Sequence, residues 1–480
     1  MKRHLVFLIS ILFCIILFCI YEAIAQNTDF SQNNIEKIGL KVIHIETENN
    51  EEPTCDFAEA PEGCMGMTSI NAKKINCRIV ITQKGDTLYD SGVFENNQSG
   101  ATIKINGNTS AYFAIPGNYP YKIKLQKKAD LLSRNDERFD DKEWRLINDG
   151  YTLNTIIGLK ISELLQLSWT PAYTPCNVFM NGDYRGCYLL IESVKRNKDC
   201  RINVDKNSGY IVERDPYWWK ENKYFTTDYF ASSKGYRWTW KYPDEDDVSP
   251  EQEDYITKFI NDAEQSILNG TYTDYIDIES FAKWILAHDI LGSKDSGGTN
   301  LYVAKYDDTQ NSLLEMPVLW DFDSNFRMEP GEFSKCHSNA GDYYFYNLFN
   351  NSNRSFTTKY KELWLQIKPM LLNTITQYIL SITNSEDGRV LESSRVLHYS
   401  RWGYTHYETI DELAQDAIKW FNNHIDKLDE NINKLDNANM IIKPSVEKEN
   451  NYIYNLSGHR ITRPKKGLYI INNRKVLMSD

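Results

Sequence analysis

The chain has 480 residues, a formal net charge of −12 and 13% aromatic residues. An acidic balance with no basic run excludes a nucleic-acid-binding face, and the length exceeds one ordinary domain. Its 31 tyrosines and 11 tryptophans can fill a large core and still leave rings for stacking surfaces.

Residues 1–25 read as a targeting segment. Lys2 and Arg3 precede an apolar run from Leu5 to Ile20, and Ala23-Ile24-Ala25 forms a small-x-small cleavage site before Gln26. An uncleaved anchor is the alternative, since the run is long, and the Ala-x-Ala site favours cleavage. No small residue precedes Cys14 or Cys19, which argues against a lipoprotein site. No later stretch approaches the roughly 20 apolar residues that span a bilayer. The expectation is an exported chain, extracellular or at the cell surface, with no transmembrane helix after cleavage. Cys55, Cys64, Cys77, Cys176, Cys187, Cys200 and Cys336 remain. Their spacing fits no zinc pattern, their odd number leaves at least one free or intermolecular thiol, and a disulfide such as Cys55–Cys64 is compatible with it.

In chain order, Gln26 to Asn34 is polar and Gly39 to Ile45 reads as a strand. Cys77–Thr82 and Ala101–Ile105 alternate as half-buried strands do. On pattern alone this β-rich part, to about residue 110, suits a small sandwich. After the turn Gly107-Asn108-Thr109, the strand Tyr121–Leu125 puts Tyr121, Ile123 and Leu125 on one face and Lys122 and Lys124 on the other. Two lysines on one face either hold phosphate oxygens as point charges or form a solvated surface. Leu153–Leu167 reads as an amphipathic helix, and Cys176–Met180 and Gly186–Glu192 as a hairpin around Asn181-Gly182. Glu192 ends an apolar strand and needs a partner: Lys124 on a functional reading, Lys195 or Arg196 on a structural one. Ser208–Arg214 is a further strand that carries Glu213 as a weaker candidate. The aromatic stretch with Trp218, Trp219, Tyr224, Phe225 and Trp238 either covers a ligand or forms satellite core. Ser249 and Pro250 open a helix that runs to about Leu268.

The helix pattern Asp277–Leu291 stops at Gly292, and a polar loop with Asp295 and Asn300 follows. Strands Leu301–Lys305 and Leu313–Leu319, joined by the turn Asp307–Ser312, lead straight into Asp321-Phe322-Asp323. Phosphoryl transfer needs a carboxylate for the acceptor hydroxyl and oxygen ligands that fix Mg²⁺ against phosphates. An Asp, an Asn five residues on, a hairpin and then an Asp at a strand end can supply both; solvated turns around a hairpin would look the same. Downstream the chain is mostly helical. A helix pattern from Lys359 to Lys368 is broken or kinked at Pro369, apolar periodicity resumes from Met370 to Leu380, and another helix spans Ile410–Leu435. A polar linker at 438–451 precedes strand signals at Ile453–Leu456, Gly467–Ile471 and Lys475–Met478.

Trp320-Asp321-Phe322-Asp323-Ser324-Asn325-Phe326, behind an Asp-bearing loop and a hairpin, resembles the CotH family of spore-coat-type atypical kinases. The run from Asn181-Gly182 through Tyr184, Gly186 and Tyr188-Leu189-Leu190 to Glu192 is characteristic of the same family. The Gly107-Asn108-Thr109 turn before Tyr121–Leu125 is similar to it as well. Two departures stand out: Arg327 takes the place of a usual Gly, and Ile105-Asn106 replace arginines before the Gly-Asn turn.

The resemblance spans roughly residues 38–435. It implies an α+β, atypical protein-kinase-like fold with a β-rich N-terminal region and a helical C-terminal half. Residues 26–437 would form that domain, 438–451 a linker, and 452–480 a small β-tail similar to sorting or attachment segments of secreted surface proteins. The implied activity is Mg²⁺-dependent transfer of the ATP γ-phosphate to a hydroxyl of a protein substrate. Asp295 would be the base, Asn300 and Asp321 the metal ligands, and Asp323 a second or outer ligand. Lys124 and Glu192, with Lys122, would hold the nucleotide phosphates. The alternative is a non-catalytic surface structural or binding protein that keeps the fold, favoured by the scarcity of ATP outside the membrane. A metal-dependent hydrolase ranks lower, because the chain has no His-rich cluster. No Gly-x-Gly-x-x-Gly or Walker loop occurs.

Overall fold

The computed structural model describes residues 28–148, 152–231, 235–295, 300–337, 343–404 and 406–435, with short tail strands between 453 and 478. The first strands are β1 (Lys41–Thr47), a hairpin of β2 (Asp56–Glu59) and β3 (Met67–Ile70), β4 (Ile75–Gln83) and β5 (Asp86–Asp90). There follow β6 (Ala101–Ile105), β7 (Tyr121–Ala129), β8 (Asp141–Ile147), β9 (Tyr173–Met180) and β10 (Asp183–Glu192). One sheet runs β1-β9-β10-β8-β7-β6-β4-β5, and β1 pairs with β4 as well. That second pairing closes the sheet into a barrel with β5 outside it. Alternation fills the interior with Ile43, Ile79, Ile103, Ile123, Trp144 and Val178. The opening β-rich stretch is therefore no separate sandwich: β1 lies parallel to β9, with Ile43 opposite Val178.

A second sheet holds β11 (Tyr210–Asp215), β12 (Tyr224–Phe225), β13 (Arg237–Tyr242), β14 (Leu301–Lys305) and β15 (Leu314–Glu315) in the order β12-β13-β11-β14-β15. Tyr210, Val212, Trp238 and Trp240 on one face join the main helical core. The longer helices are α1 (Asn154–Leu164), α2 (Pro250–Asn269), α3 (Ile278–Leu291), α4 (Ser355–Thr383), α5 (Glu386–Trp402) and α6 (Ile410–Lys434). The chain is thus α+β, as expected. Ser249 and Gln252 close a capping box at the start of α2, as do Thr409 and Glu412 at α6.

Four local expectations change. Pro369 lies inside the continuous α4 and does not end it. Both Pro369 and Leu365 face solvent, so the carbonyl that loses its partner reaches water. The run Leu313–Leu319 is strand only at 314–315, because Met316 N–H donates to Ser280 Oγ at 3.1 Å and Pro317 O accepts from Trp169 N–H at 3.0 Å. Cys55 and Cys64 sit at opposite ends of the β2–β3 hairpin and are both free thiols. The tail strands 453–454, 460–461, 467–471 and 474–478 form a four-stranded sheet, one more strand than the signals suggested. No helix of the described residues is long and apolar enough to cross a membrane.

The hairpin that leads to Asp321 is shaped by a buried lysine. Lys305 Nζ donates to the carbonyls of Asp307, Thr309 and Ser312 at 2.8, 2.8 and 2.6 Å and stands 4.2 Å from the Phe259 ring. Its ammonium occupies the centre of the turn as a cation would, and no solvent reaches it. Lys305→Met should cost about 2–4 kcal/mol in denaturant unfolding, because three carbonyls lose their donor together.

Candidate functional site

The last turn of α3 is immobilised by Asp289. Its carboxylate accepts from Ser334 N–H and Tyr360 O–H, both at 2.7 Å, and lies 2.6 Å from His337 Nε2. His424 Nδ1 accepts the Gly331 N–H at 2.8 Å, so Nε2 carries the proton donated to the Asp289 carbonyl at 2.7 Å. Burial pulls the His424 ring down to about 4, so it stays neutral. Beyond the left-handed Gly292, the chain is laced to the loop after β15. Ser293 Oγ meets Asn325 Oδ1 at 2.5 Å, Lys294 N–H reaches Ser324 O at 3.2 Å, and Asp295 N–H reaches Ser324 Oγ at 3.0 Å. Phe326 N–H and Met328 N–H return to Leu291 O and Gly292 O at 2.9 and 3.2 Å. The turn at Arg327 is therefore fixed by Phe326, at φ +64°, and does not depend on a glycine. Phe322 inserts against α1, where a Cβ on Gly158 would come within 2.1 Å of its ring.

This lacing brings the expected acidic residues together in two groups. Asn300 and Asp321 both take left-handed backbone, φ +58° and +67°, and Asn300 Nδ2 is 3.3 Å from Asp321 Oδ2. Asp323 and Asp295 repel each other: burial first, then the Asp295 charge, raises the Asp323 carboxyl, with Arg327 opposing. Burial, then the charges of Asp215, Asp321 and Asp295, raises the phenol of Tyr217 against the Thr109 hydrogen bond. Asn300 and Asp321 are neighbours with the Asn300 amide nitrogen toward the carboxylate; the carboxylate and the amide oxygen are hard donors of the kind Mg²⁺ takes when phosphate oxygens complete the shell.

Across the cleft, the outward face of the barrel is cationic. Register sets Lys104, Lys122 and Arg145 directly opposite one another on β6, β7 and β8, and Lys124 opposite Glu143 in the next row. Glu143 stands 2.8 Å from Lys122 Nζ, 3.0 Å from Lys195 Nζ and 3.8 Å from Lys124 Nζ. Burial alone would raise its carboxyl, but Lys122 and Lys195 outweigh this and hold it well below the usual range. Arg145 lies 5.8 Å from the Trp320 ring, next to Asp321, and its buried Nε has no hydrogen-bond partner. Like charges in paired strand positions repel; Asp244, 3.6 Å from Lys195 Nζ, and the Glu221 charge on Lys104 share the compensation with Glu143. Lys104, Glu143 and Arg145 belong to no motif of the sequence. The alternation Lys142-Glu143-Trp144-Arg145-Leu146 on β8 was the available signal, but nothing in it tells which face meets the cleft.

The expected Lys124–Glu192 pair does not form. Glu192 lies opposite Trp144, on the barrel-interior face, whereas Lys124 shares the outer face with Glu143. Glu192 is instead held by Arg134 Nη2 at 2.9 Å and the Ala172 N–H at 3.0 Å, so neither Lys195 nor Arg196 takes it. Glu192 is thus a structural carboxylate and Lys124 turns to Glu143. Glu192→Ala should destabilise the fold by about 1–3 kcal/mol, because the Ala172 amide is left unpaired. Unfolding midpoints would read that loss, and the charge of the cationic face would be unchanged.

A family model described as CotH kinase protein matches residues 103–385, from β6 to just past α4. A search of curated proteins finds no match. The matched span covers more than half of the chain and includes both the cationic face and the Asp295–Asp323 loops, and the chain belongs to the CotH kinase family.

Proposed function

We propose that this protein is an exported, Mg²⁺-dependent phosphotransferase that moves the γ-phosphate of ATP to a hydroxyl of a protein substrate. The observation that carries the reading is the row Lys104–Lys122–Arg145, an outer-face set of cations beside Trp320, whose loop also carries Asp321 next to Asn300. Such an excess of positive charge suits a polyphosphate and offers little to a neutral ligand. Lys122, Lys124 and Arg145 would orient the phosphates, and Asn300 and Asp321 would hold the metal. A bound Mg²⁺ would neutralise charge on the β- and γ-phosphates. Asp295, at the edge of the cleft, would accept the proton of the acceptor hydroxyl as its oxygen bonds to the γ-phosphorus. ADP then departs with the electrons of the broken P–O bond.

Two substitutions separate these roles. Asp321→Asn should weaken Mg²⁺-dependent nucleotide binding about tenfold or more in calorimetric titration, with the unfolding midpoint within about 3 °C of the parent. Asp295→Ala should keep nucleotide affinity and lose about 10²–10⁴-fold in transfer rate to a generic acceptor protein. Unchanged affinity in a folded Asp321→Asn protein would overturn the metal assignment, and unchanged transfer by Asp295→Ala would remove the base.

Burial draws the Lys122 ammonium down to about 8, against the pull of Glu143. Only its protonated form attracts phosphate, so nucleotide affinity should fall as pH rises through that value. Lys122→Arg keeps its charge and should flatten the profile between about pH 7 and 9. A profile equally steep in the arginine variant would show that another group titrates.

A further inference from the structure

Opposite the Asp295 loop, the turn Tyr217-Trp218-Trp219-Lys220 reaches from the second sheet onto the barrel. Tyr217 Oη lies 2.7 Å from Thr109 Oγ1, and Lys220 Nζ donates to Thr68 Oγ1 at 2.9 Å and to Asn108 Oδ1 at 2.5 Å. Trp219 Nε1 reaches the Met65 carbonyl at 3.4 Å. The Tyr217 ring is pressed on Gly66 so closely that a Cβ there would lie 2.4 Å from Cε1. The root of the turn is fixed, because the buried Asp215 accepts the Tyr217 N–H at 2.7 Å and Thr239 Oγ1 at 3.1 Å. These contacts seize two elements at the mouth of the cleft, the β2–β3 hairpin and the β6–β7 turn at Asn108-Thr109.

The opposite side of the barrel is held differently. Cys187 and Ile191 of β10 belong to the main helical core, and the Cys187 N–H donates to His398 Nδ1 at 3.1 Å. One flank is anchored by buried apolar packing, while the other, at the β6–β7 turn, is held by one ring on a glycine and by polar contacts that water can replace. The polar side has the lower cost of opening.

We propose that Tyr217–Lys220 is a clasp that holds the β2–β3 hairpin and the β6–β7 turn over the cleft, and that its release sets how fast a nucleoside triphosphate enters and leaves. This gating rests on the phosphotransferase reading above. Lys220→Met removes the charged hydrogen bonds, and Gly66→Ala, at a backbone of φ +87°, pushes away the Tyr217 ring together with its Oη while leaving Lys220 in place.

Hydrogen exchange of the ligand-free protein reads the clasp itself. Both variants should exchange faster at residues 66–70 and 107–112 than the parent, with β10 unchanged. Stopped-flow with a fluorescent ATP analogue and Mg²⁺ reads the gate. Association and dissociation should both accelerate by about tenfold, the scale of one lost charged hydrogen bond, while Kd moves far less. Unaltered exchange in both variants would overturn the clasp. Faster exchange with unaltered nucleotide rates would leave a clasp that gates nothing and overturn the proposal. Failure of the parent protein to bind the analogue would overturn the phosphotransferase reading and the gating with it, and the exchange data would still show whether the contact holds the hairpin.

Discussion

Because β1 pairs with β9 on one edge and β4 on the other, the barrel has a dry interior, and every inward position on its strands must be apolar or paired. Charges on β6, β7 and β8 are left with the outward positions only. There, register rather than sequence neighbourhood aligns Lys104, Lys122 and Arg145 across three strands. The same rule forces Glu192, on an inward position at the end of β10, to find Arg134 and a backbone amide instead of a lysine. Phosphate-holding charge and structural charge are thus sorted by which side of a strand they leave.

The cationic row is not placed for stability. Paired like charges cost some tenths of a kcal/mol each, and the desolvation felt by Lys104 and Lys122 adds to that. Glu143 relieves part of the repulsion by serving three lysines at once. Asp244 on Lys195 and the Glu221 charge on Lys104 relieve a further part, and Arg145 Nε, beside Trp320, is buried without a hydrogen-bond partner.

The acidic side of the cleft rests on backbone that ordinary residues avoid. Asn300, Asp321 and Phe326 all take positive φ. Asn and Asp tolerate this at small cost, whereas Phe does so at about 1 kcal/mol or more. Such conformations persist where the surroundings over-determine them. The surroundings here are the hydrogen bonds between 291–295 and 324–328, with Asp289 holding the end of α3 behind them. The clasp at Tyr217 completes the frame from the other sheet.

Much of this was legible in the sequence. Period-2 alternation marked β4, β6 and β7, Ser249 and Pro250 marked the start of α2, and Gly292 marked the end of α3, because each is a local property of a few adjacent residues. The resemblance to CotH kinases located the Asp295–Asp323 region on short motifs. Other features depended on partners distant in the chain. Barrel closure joins residues 41–47 to both 75–83 and 173–180, and no local pattern encodes it. Pro369 continues α4 because its face meets water, which a sequence period cannot reveal. The Lys124–Glu192 pairing failed for a similar reason: both residues alternate correctly within their own strands, but only the register through β8 decides that they face opposite ways. Local sequence determines element type and the two faces of each strand, whereas the face that meets the cleft is set by long-range pairing and exists only in the folded chain.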